Sequence, residues 1–268
     1  MPKVLLTGAA GGIGKATTHL LHQKGYHLIL TDYDERLLSQ AYPEAHPSWK
    51  FHALDVTRLE AWEETLAHFP DIDVLIQLAG IMQVGWFVES PVSDIEKQTA
   101  INLMGLAYGC YVYGRHFAKR GEGHIINLAS LAGIAPIPGI TAYTATKFGV
   151  RGLSLALDAE LRPRGVAVTV ICPGPVGTSM IWNVLHRPES AYAFSMGGVL
   201  EPEAVAKAIE RAIRKRPKEI TLPLYKSIAA RIVSLFPVLL SWAEWLMLKG
   251  AEQRRRHYWE KVRTSISP

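Results

Sequence analysis

Cysteine is scarce in this chain: its 268 residues include only Cys110 and Cys172. The two lie far apart, in apolar surroundings, and neither belongs to a spacing typical of metal ligands. We therefore interpret both as small buried hydrophobic residues and expect neither a disulfide framework nor a metal site. The lack of a disulfide pattern favours a reducing, cytoplasmic compartment.

We also expect neither a signal peptide nor a nucleic-acid partner. The first apolar segment begins at Lys3 or Val4, which leaves no room for a charged region followed by an apolar one, so we expect no signal peptide. The net charge is +5, but nine of the 29 basic residues fall within 211–218 and 249–257. Basic and aromatic residues are not interleaved as in nucleic-acid modules, so we predict no nucleic-acid partner.

What the sequence does contain is a regular alternation of short apolar segments and amphipathic stretches. Strands are predicted over 4–6, 27–30, 49–53, 74–78, 124–128, 167–171 and 219–222, and helices over 15–24, 59–68, 93–120, 145–162 and 203–216. Such alternation predicts a parallel sheet with helices on both faces. With 49% apolar residues, we predict one doubly wound α/β domain with a mainly parallel, seven-stranded sheet.

A glycine-rich loop joins the first predicted strand to the first predicted helix. Residues 7–14 read TGAAGGIG, with the spacing Gly8-x3-Gly12-x-Gly14. Backbone N–H groups at a helix N-terminus attract anions, and glycine lets a pyrophosphate approach closely. The G-x-G-x-x-G fingerprint is absent because Thr17 takes its third position. The loop favours a dinucleotide site, with an ordinary glycine-rich turn as the alternative.

The second predicted strand ends in Asp32, eighteen residues after Gly14. A carboxylate there can accept hydrogen bonds from a ribose and repel a 2′-phosphate, although it could also cap the next helix. We therefore predict that the cofactor is NAD, with NADP less favoured. Lys15 and Arg36 are the residues that could reverse this preference.

A serine, a tyrosine and a lysine form the candidate chemical centre. The strand segment HIINLAS ends at Ser130, and Tyr143 and Lys147 follow at i, i+4 on one helical face. A phenol is a poor base at neutral pH, but a nearby ammonium and a positively charged nicotinamide would lower its pKa. Tyr143 could then exchange a proton with a substrate oxygen held by Ser130. Alone, Tyr-x-x-x-Lys is a common pair on helix surfaces.

Taken together, the glycine spacing, Ser130 and Tyr143-x3-Lys147 resemble the short-chain dehydrogenase/reductase family over about residues 3–222. The resemblance implies a Rossmann-type fold and hydride transfer between a nicotinamide cofactor and an alcohol/carbonyl pair. It also implies that Asn102, in AINLMG, holds a water in a proton relay with Lys147. Ser130 would orient the substrate carbonyl, and Lys147 would also bind the nicotinamide ribose.

The same resemblance assigns the residues that contact the cofactor. They are Gly8, Gly12, Ile13, Gly14, Asp32, Asp55, Val56, Ala79, Gly80, Tyr143, Lys147, Pro173, Gly174, Val176 and Thr178. The family's usual Asn-Asn before Ala-Gly is Gln77-Leu78 here. We expect this change to affect sheet cohesion and local cofactor contacts but not the proton chemistry.

The loop over 179–200 is predicted to cover the substrate. Its apolar side chains are Met180, Ile181, Trp182, Val184, Leu185, Tyr192, Phe194 and Met196. Arg187 is the only arginine in the stretches that would line the cleft, so a phosphate or carboxylate substrate is disfavoured. We predict a lipophilic alcohol or ketone of steroid, retinoid or long-chain type. The alternative is that these side chains pack a core or a dimer face.

The composition changes after about residue 225, so we divide the chain into a catalytic domain, 1–225, and an amphipathic, apolar helical extension, 226–268. The apolar run 232–248 falls short of the ~20 residues that span a bilayer. The segment 226–250 could lie in a membrane interface, cover the cleft or pack a subunit interface, and its flanking basic clusters favour peripheral membrane contact. The family resemblance implies a homo-oligomer. A non-catalytic NAD(P)-binding sensor or scaffold is the alternative to an enzyme.

Overall fold

A parallel sheet of seven strands forms the middle of the fold. The computed structural model describes residues 1–194, 198–235 and 250–261. The strands are β1 Lys3–Thr7, β2 His27–Asp32, β3 Lys50–Ala53, β4 Val74–Gln77, β5 Gly123–Leu128, β6 Val166–Pro173 and β7 Glu219–Leu222. They lie in the order β3-β2-β1-β4-β5-β6-β7, and each neighbouring pair is parallel. The predicted Rossmann-type sheet is confirmed.

Helices cover both faces of this sheet. They are α1 Gly12–Gln23, α2 Glu35–Ala41, α3 Leu59–His68, α4 Val92–Thr99, α5 Leu106–Arg120, α6 Thr141–Leu161, α7 Ser179–Trp182, α8 Pro202–Lys215 and α9 Leu224–Leu235. Residues 250–261 form a further helix, the C-terminal helix. The rest of the predicted extension, 236–249 and 262–268, lies outside the described residues, as does Met196 of the substrate loop.

Successive residues of one strand pack into different hydrophobic cores, one on each face of the sheet. Leu5 and Ile125 pack against α3, α5 and α6, whereas Leu6 and Ile126 pack on the opposite face against α1 and α8. Side chains alternate across a strand, so a sheet that is covered on both faces needs apolar residues at each position. This is why the strand segments read as continuous apolar runs.

The predicted helix over 93–120 changes its winding in the middle. α4 and α5 are joined by a π-helical segment, Ala100–Gly105, which contains Asn102. Such segments are rare and concentrate at functional sites. The sequence pattern predicted the helix but not the altered turn.

Gln77 supplies the cross-strand tie that we expected this chain to lack. Its Nε2 donates to Asn127 Oδ1 on β5 at 2.9 Å and to the Leu106 carbonyl at 3.1 Å. Asn127 Nδ2 in turn donates to Ser154 Oγ on α6 at 2.9 Å. Gly109 makes room for the glutamine, because a Cβ there would lie 2.3 Å from Gln77 Oε1. Buried hydrogen bonds thus connect β4, β5 and α6.

The strand order reverses direction at β1, from which the chain builds the sheet outward on both sides. In open α/β sheets, ligands bind in the crevice outside the carboxyl ends of the strands at such a point. The glycine loop after β1 and the Ala79–Gly80 turn after β4 therefore face one crevice.

Candidate active site

The glycine loop forms a close-packed cradle of main chain. Gly8 has a φ of +66°, and a Cβ there would lie 2.8 Å from the Ala79 main-chain nitrogen. A Cβ on Gly14 would lie 2.4 Å from the Gly8 carbonyl oxygen, and one on Gly12 would lie 2.7 Å from Thr178 Cγ2. No side chain of the described residues caps the N-terminus of α1. The loop therefore has the shape and the N–H groups that a dinucleotide pyrophosphate requires.

The predicted cofactor residues lie together at the carboxyl edge of the sheet. Residues 8–14 follow β1, Asp32 ends β2, residues 55–56 follow β3, residues 79–80 follow β4, and residues 173–178 end or follow β6. The carboxyl ends of parallel strands share one edge, so these segments line one crevice. Tyr143 and Lys147 lie in the first two turns of α6, which begins beside the same crevice.

The Asp32 carboxylate is held by the glycine loop and by its own strand end. Its Oδ2 accepts a hydrogen bond from Ala10 N at 3.0 Å, and its Oδ1 accepts one from Tyr33 N at 2.9 Å. The helix-capping role that we considered belongs instead to Asp34, which accepts from Arg36 N. The Arg36 side chain is 88% exposed and lies 3.9 Å from the Asp34 carboxylate, so its charge is paired with Asp34.

Asp55 and Val56 form a tight turn beside the crevice. Asp55 Oδ1 accepts hydrogen bonds from Thr57 N at 2.9 Å and from Thr57 Oγ1 at 2.7 Å. The Val56 carbonyl accepts a hydrogen bond from Trp62 Nε1 at 3.0 Å. Gly105 packs against this turn, because a Cβ there would lie 2.9 Å from Val56. The turn is thereby fixed against the π-helical segment.

Ser130, Tyr143 and Lys147 converge next to this crevice. Ser130 Oγ accepts a hydrogen bond from Ala132 N at 3.1 Å and donates one to the Pro173 carbonyl at 3.4 Å, and the Ser130 side chain lies close enough to the Tyr143 hydroxyl to lower its pKa. Lys147 is 4% exposed, and its Nζ donates to the Leu128 carbonyl at 2.9 Å. The same Nζ lies 5.5 Å from the centre of the Tyr143 ring. A hydroxyl pair and an ammonium therefore share one small site.

Burial shifts the pKa values of both ionisable groups. It raises the pKa of Tyr143 to about 12, and the nearby Ser130 side chain opposes this only in part. It lowers the pKa of Lys147 to about 8. We expected Lys147 to lower the pKa of Tyr143, whereas in this structure burial dominates. At neutral pH the tyrosine is therefore protonated and the lysine is largely charged.

Asn102 is fully buried and holds the π-helical segment against the crevice. Its Oδ1 accepts a hydrogen bond from Ile81 N at 2.8 Å, and its Nδ2 donates to the Ile81 carbonyl at 2.9 Å and to Thr146 Oγ1 at 3.3 Å. A Cβ on Gly80 would lie 3.2 Å from Asn102 Oδ1 and 3.8 Å from Lys147 Nζ. The side chain thus positions the 80–81 turn and α6, and its water-holding role stays a prediction.

Three polar residues that the sequence analysis did not single out support the site. Thr7 Oγ1 accepts hydrogen bonds from Leu78 N at 3.2 Å and Ala79 N at 3.3 Å, which joins the ends of β1 and β4. Thr146 Oγ1 accepts from Asn102, and Asn127 bonds to Gln77. The sequence signal that could have identified them is a polar residue within an otherwise apolar strand or helix face.

A match between residues 2–189 and the family model described as "short chain dehydrogenase" decides the family. The chain belongs to this family. It is 30% identical to "Probable oxidoreductase EphD" of Mycobacterium tuberculosis over 237 residues, which cover 80% of this chain and 39% of that protein. The chain therefore spans about two fifths of the length of that relative.

Two further relatives match over most of both chains. The chain is 32% identical to "Uncharacterized oxidoreductase SSP1627" of Staphylococcus saprophyticus over 224 residues, 81% of this chain and 91% of that protein. A solved structure described as the closed form of serine dehydrogenase complexed with NADP+ has a TM-score of 0.72 and 31% identity, covering 82% of this chain and 93% of that chain. Oxidoreductase is thus the function named for these relatives.

A cluster of apolar side chains packs against Tyr143. We call them the cleft cluster: Met82, Val84, Ala132, Ile137, Ile140, Met180, Ile181, Trp182, Val184, Leu185, Phe194, Val199, Tyr258 and Trp259. Most come from the turn after β4, the segment after Ser130 and the substrate loop. Ile181, Leu185 and Phe194 of that loop are buried in this cluster, which agrees with the core-packing alternative, and the substrate-covering role stays a prediction. Tyr258 and Trp259 were not predicted, because they come from the C-terminal helix.

The C-terminal helix binds the substrate loop through hydrogen bonds and ring contacts. Arg255 is 9% exposed, and its Nη1 donates to the Leu185 carbonyl at 2.6 Å. Arg254 Nε donates to the Phe194 carbonyl at 2.8 Å. The Tyr258 ring centre lies 5.7 Å from that of Phe194 and 6.0 Å from that of Trp182. Two arginines of the basic cluster over 249–257, which we expected to flank a membrane segment, thus bind the substrate loop.

Proposed function

We propose that this short-chain dehydrogenase interconverts a lipophilic alcohol and its carbonyl compound with a nicotinamide cofactor. The observation that carries the proposal is the convergence of the Ser130 and Tyr143 hydroxyls with the buried Lys147 ammonium, whose Nζ lies 5.5 Å from the centre of the tyrosine ring. Binding a dinucleotide needs no such set. A turnover screen with lipophilic alcohols and ketones tests the proposal.

The side chains have separate tasks in the proton transfer. The protonated Tyr143 hydroxyl donates its proton to a carbonyl oxygen in one direction and recovers one from an alcohol in the other. Ser130 holds the same oxygen by a hydrogen bond. The phenolate left on Tyr143 is stabilised by the positive charge of Lys147, which burial makes stronger than it would be in water.

The crevice suits a nicotinamide dinucleotide. The glycine cradle would hold the pyrophosphate, Asp32 the adenosine ribose, and Lys147 the nicotinamide ribose. When bound, the nicotinamide supplies the hydride acceptor or donor. Asp32 favours NAD because a 2′-phosphate would meet a carboxylate that is fixed by main-chain N–H groups. The similar serine dehydrogenase structure is described as complexed with NADP+. The proposed preference of this chain for NAD therefore rests on Asp32 and not on that similarity.

Replacing Asp32 by Asn should shift cofactor preference toward NADP. Asparagine keeps an acceptor oxygen for Ala10 N but removes the negative charge. We expect the ratio of NADP affinity to NAD affinity to rise at least about tenfold, which corresponds to about 1.4 kcal/mol. Direct titration of both cofactors measures the ratio. A wild-type protein that prefers NADP, or an unchanged ratio in the variant, would contradict the role of Asp32.

The surroundings of Tyr143 support a lipophilic substrate. The cleft cluster is apolar, and Arg187 Nε lies 3.5 Å from Glu189 Oε2, so its charge is paired. Trp86, Phe87 and Val88 are 41%, 47% and 91% exposed. The Trp86 ring centre lies 6.0 Å from that of Tyr192 in the substrate loop. An apolar rim beside an apolar cleft favours a ligand with extended hydrocarbon surface.

Replacing Tyr258 by Ala should weaken substrate binding without affecting the cofactor. The change removes ring contacts with Trp182 and Phe194, so the substrate loop loses its support. We expect KM for a long-chain or polycyclic alcohol to rise about tenfold, or about 1.4 kcal/mol, with NAD affinity unchanged. Tyr258→Phe keeps the ring and loses the hydrogen bond from Val199 N, so it should remain close to wild type. An Ala variant with wild-type KM would show that this helix does not shape the cleft.

We also propose that the protein is a homo-oligomer that associates through its long helices. Met104 in the π-helical segment, Tyr111 on α5 and Phe148 on α6 are 42%, 52% and 37% exposed. Large apolar side chains on neighbouring helices of one face are a usual basis for subunit contact.

A further inference from the structure

A largely buried carboxylate joins three elements of the fold. Glu219 is the first residue of β7, which lies at one edge of the sheet, and its side chain is 15% exposed. Its Oε1 accepts a hydrogen bond from Arg151 Nε of α6 at 2.6 Å, and its Oε2 pairs with Arg231 of α9. Cys172 Sγ of β6 lies 3.8 Å from the same Oε1. One side chain thus connects α6, α9 and the end of β6.

This carboxylate is ionised. Burial raises the pKa of Glu219, but the hydrogen bonds from Arg151 and Arg231 outweigh burial and hold the pKa below its usual value. A buried ion pair loses its hydration, so it commonly adds little to stability when compared with apolar residues of similar size. The direct consequence of this cluster is instead that α6, α9 and β6 keep fixed positions relative to one another.

Helix α6 carries two catalytic groups directly before Arg151. Arg151 follows Lys147 by four residues, so the two side chains lie on one face of the helix. The Lys147 Nζ donates to the Leu128 carbonyl at the end of β5, whereas Arg151 reaches Glu219 on β7. This face of α6 is thus attached to the sheet at two points one turn apart. The attachment at Glu219 therefore contributes to the position of Lys147 and of Tyr143, which lies one turn earlier.

Helix α9 packs against the turn that follows Ser130. None of the helices in the described part of the chain, α9 included, is long and apolar enough to cross a bilayer. Ser130 caps the turn Leu131–Gly133, which contacts α9, and Ala230 of α9 is fully buried in the same core as the start of that turn. The turn also packs against α6, because a Cβ on Gly133 would lie 2.5 Å from the Lys147 carbonyl oxygen. The Ser130 turn is therefore held by both helices that Glu219 joins.

The end of β6 links the carboxylate to the same site. Cys172 is fully buried and lies close enough to Tyr143 and Lys147 to interact electrostatically with both. The next residue is Pro173, whose carbonyl accepts a hydrogen bond from Ser130 Oγ at 3.4 Å. The thiol that contacts the buried carboxylate is therefore also a neighbour of the catalytic groups.

We propose that Glu219 is a positioning residue of the active site. It holds α6 and α9 against the Ser130 turn, so that the hydroxyls of Ser130 and Tyr143 and the ammonium of Lys147 meet at one substrate oxygen. Glu219 acts through the two arginines that it binds and not by contact with the substrate. The inference rests on the proposed hydride transfer and adds to it a residue outside the cofactor crevice.

Glu219→Gln in the full-length protein tests this role, because it keeps the size of the side chain and removes its charge. A misplacement of about 1 Å can cost about 100-fold in rate. We expect kcat for an alcohol substrate to fall about tenfold, with NAD affinity within a few-fold of wild type. The pKa of Lys147 should rise from about 8 toward the usual lysine value, because a displaced α6 admits water to the ammonium. NMR of ¹³C-labelled lysine, with the signal assigned by Lys147→Met, measures that pKa without turnover.

Glu210→Gln is the matched control. The Glu210 side chain is 13% exposed and lies 2.6 Å from Arg214 Nε on α8, which packs on the opposite face of the sheet. This variant loses a similar ion pair and should keep the wild-type kcat and the wild-type pKa of Lys147. A second variant, Arg151→Gln/Glu219→Gln, leaves α6 without an unpaired arginine, so it should fold even where the single variant does not. It should show the same loss of kcat and the same rise in the pKa of Lys147.

Two results would overturn the positioning role. One is a wild-type kcat together with a wild-type Lys147 titration in both Glu219 variants. The other is an equal loss of kcat in Glu210→Gln, which would assign the effect to general loss of stability. If the wild type turns over no alcohol or carbonyl compound, the proposed function fails, and the Lys147 titration alone decides the role of Glu219.

Discussion

Tyr143→Phe should lower turnover by about 10²- to 10⁴-fold while leaving NAD affinity within a few-fold of wild type. The substitution removes only the hydroxyl that donates and accepts the proton, and positioned acid–base catalysis contributes about that factor. The ring remains among the same cleft-cluster neighbours, so the fold and the cofactor crevice are preserved. Steady-state kinetics and cofactor titration on the same preparation measure both quantities.

The control for this variant is Tyr113→Phe. Tyr113 is fully buried on α5, and its hydroxyl has no hydrogen-bond partner among the described residues. Its removal should leave both turnover and NAD affinity unchanged. Turnover of Tyr143→Phe within a few-fold of the wild type would rule out Tyr143 as the proton donor.

Lys147→Met should abolish turnover and weaken NAD binding, yet stabilise the fold at neutral pH. Burial lowers the pKa of Lys147 from 10.5 to about 8. At pH 7 the folded protein therefore carries a buried charge that costs roughly 3 kcal/mol relative to the unfolded chain. Loss of the hydrogen bond to the Leu128 carbonyl offsets roughly 1–3 kcal/mol of that gain. We expect the melting temperature without added cofactor to rise by about 2–4 °C.

The pH dependence identifies the cause of this stabilisation. Between pH 8 and 10.5 the folded wild type loses the proton on Lys147 while the unfolded chain keeps it, so wild-type stability rises with pH relative to the variant. The advantage of Lys147→Met should be complete below pH 8 and should vanish by about pH 10.5. A variant that melts below the wild type at pH 7 would show that the lysine stabilises the fold.

Motifs that act through main chain or through neighbours in sequence could be predicted from the sequence. Gly8, Gly12 and Gly14 occur at a fixed spacing because the backbone at these positions leaves no room for a side chain. The i, i+4 spacing of Tyr143 and Lys147 places them on one face of a helix. The strand pattern was equally direct, since strands that are buried on both faces are apolar throughout. These features brought the predicted site residues to one edge of the sheet.

Features that depend on distant partners could not be predicted. In the sequence, Gln77 is only a departure from the family's Asn-Asn. Its hydrogen bond to Asn127 and the space that Gly109 leaves for it could not be predicted, because these residues belong to other elements. The π-helical turn at Asn102 changes the winding without changing the apolar pattern. The pKa of Tyr143 depends on how deeply the ring is buried, which the sequence does not contain.

The C-terminal extension shows the same limit. A helix with a narrow polar stripe can pack with either its polar or its apolar side toward the protein. In α9 the ion pair between Arg231 and Glu219 keeps the polar side toward the protein. The second basic cluster resembled a membrane-flanking segment, but Arg254 and Arg255 reach carbonyl groups of the substrate loop. A truncation before Ser227 would therefore also remove the helix that binds the substrate loop.

The most direct test of the proposed hydride transfer is an initial-rate screen that follows reduced nicotinamide with a panel of lipophilic primary and secondary alcohols. We expect turnover with NAD for at least one class, slower turnover with NADP, and turnover lowered at least about 100-fold for Tyr143→Phe under the same conditions. Tight NAD binding without turnover of any alcohol, or of any ketone or aldehyde in the reverse direction, would contradict the assignment and leave a dinucleotide-binding protein without this chemistry.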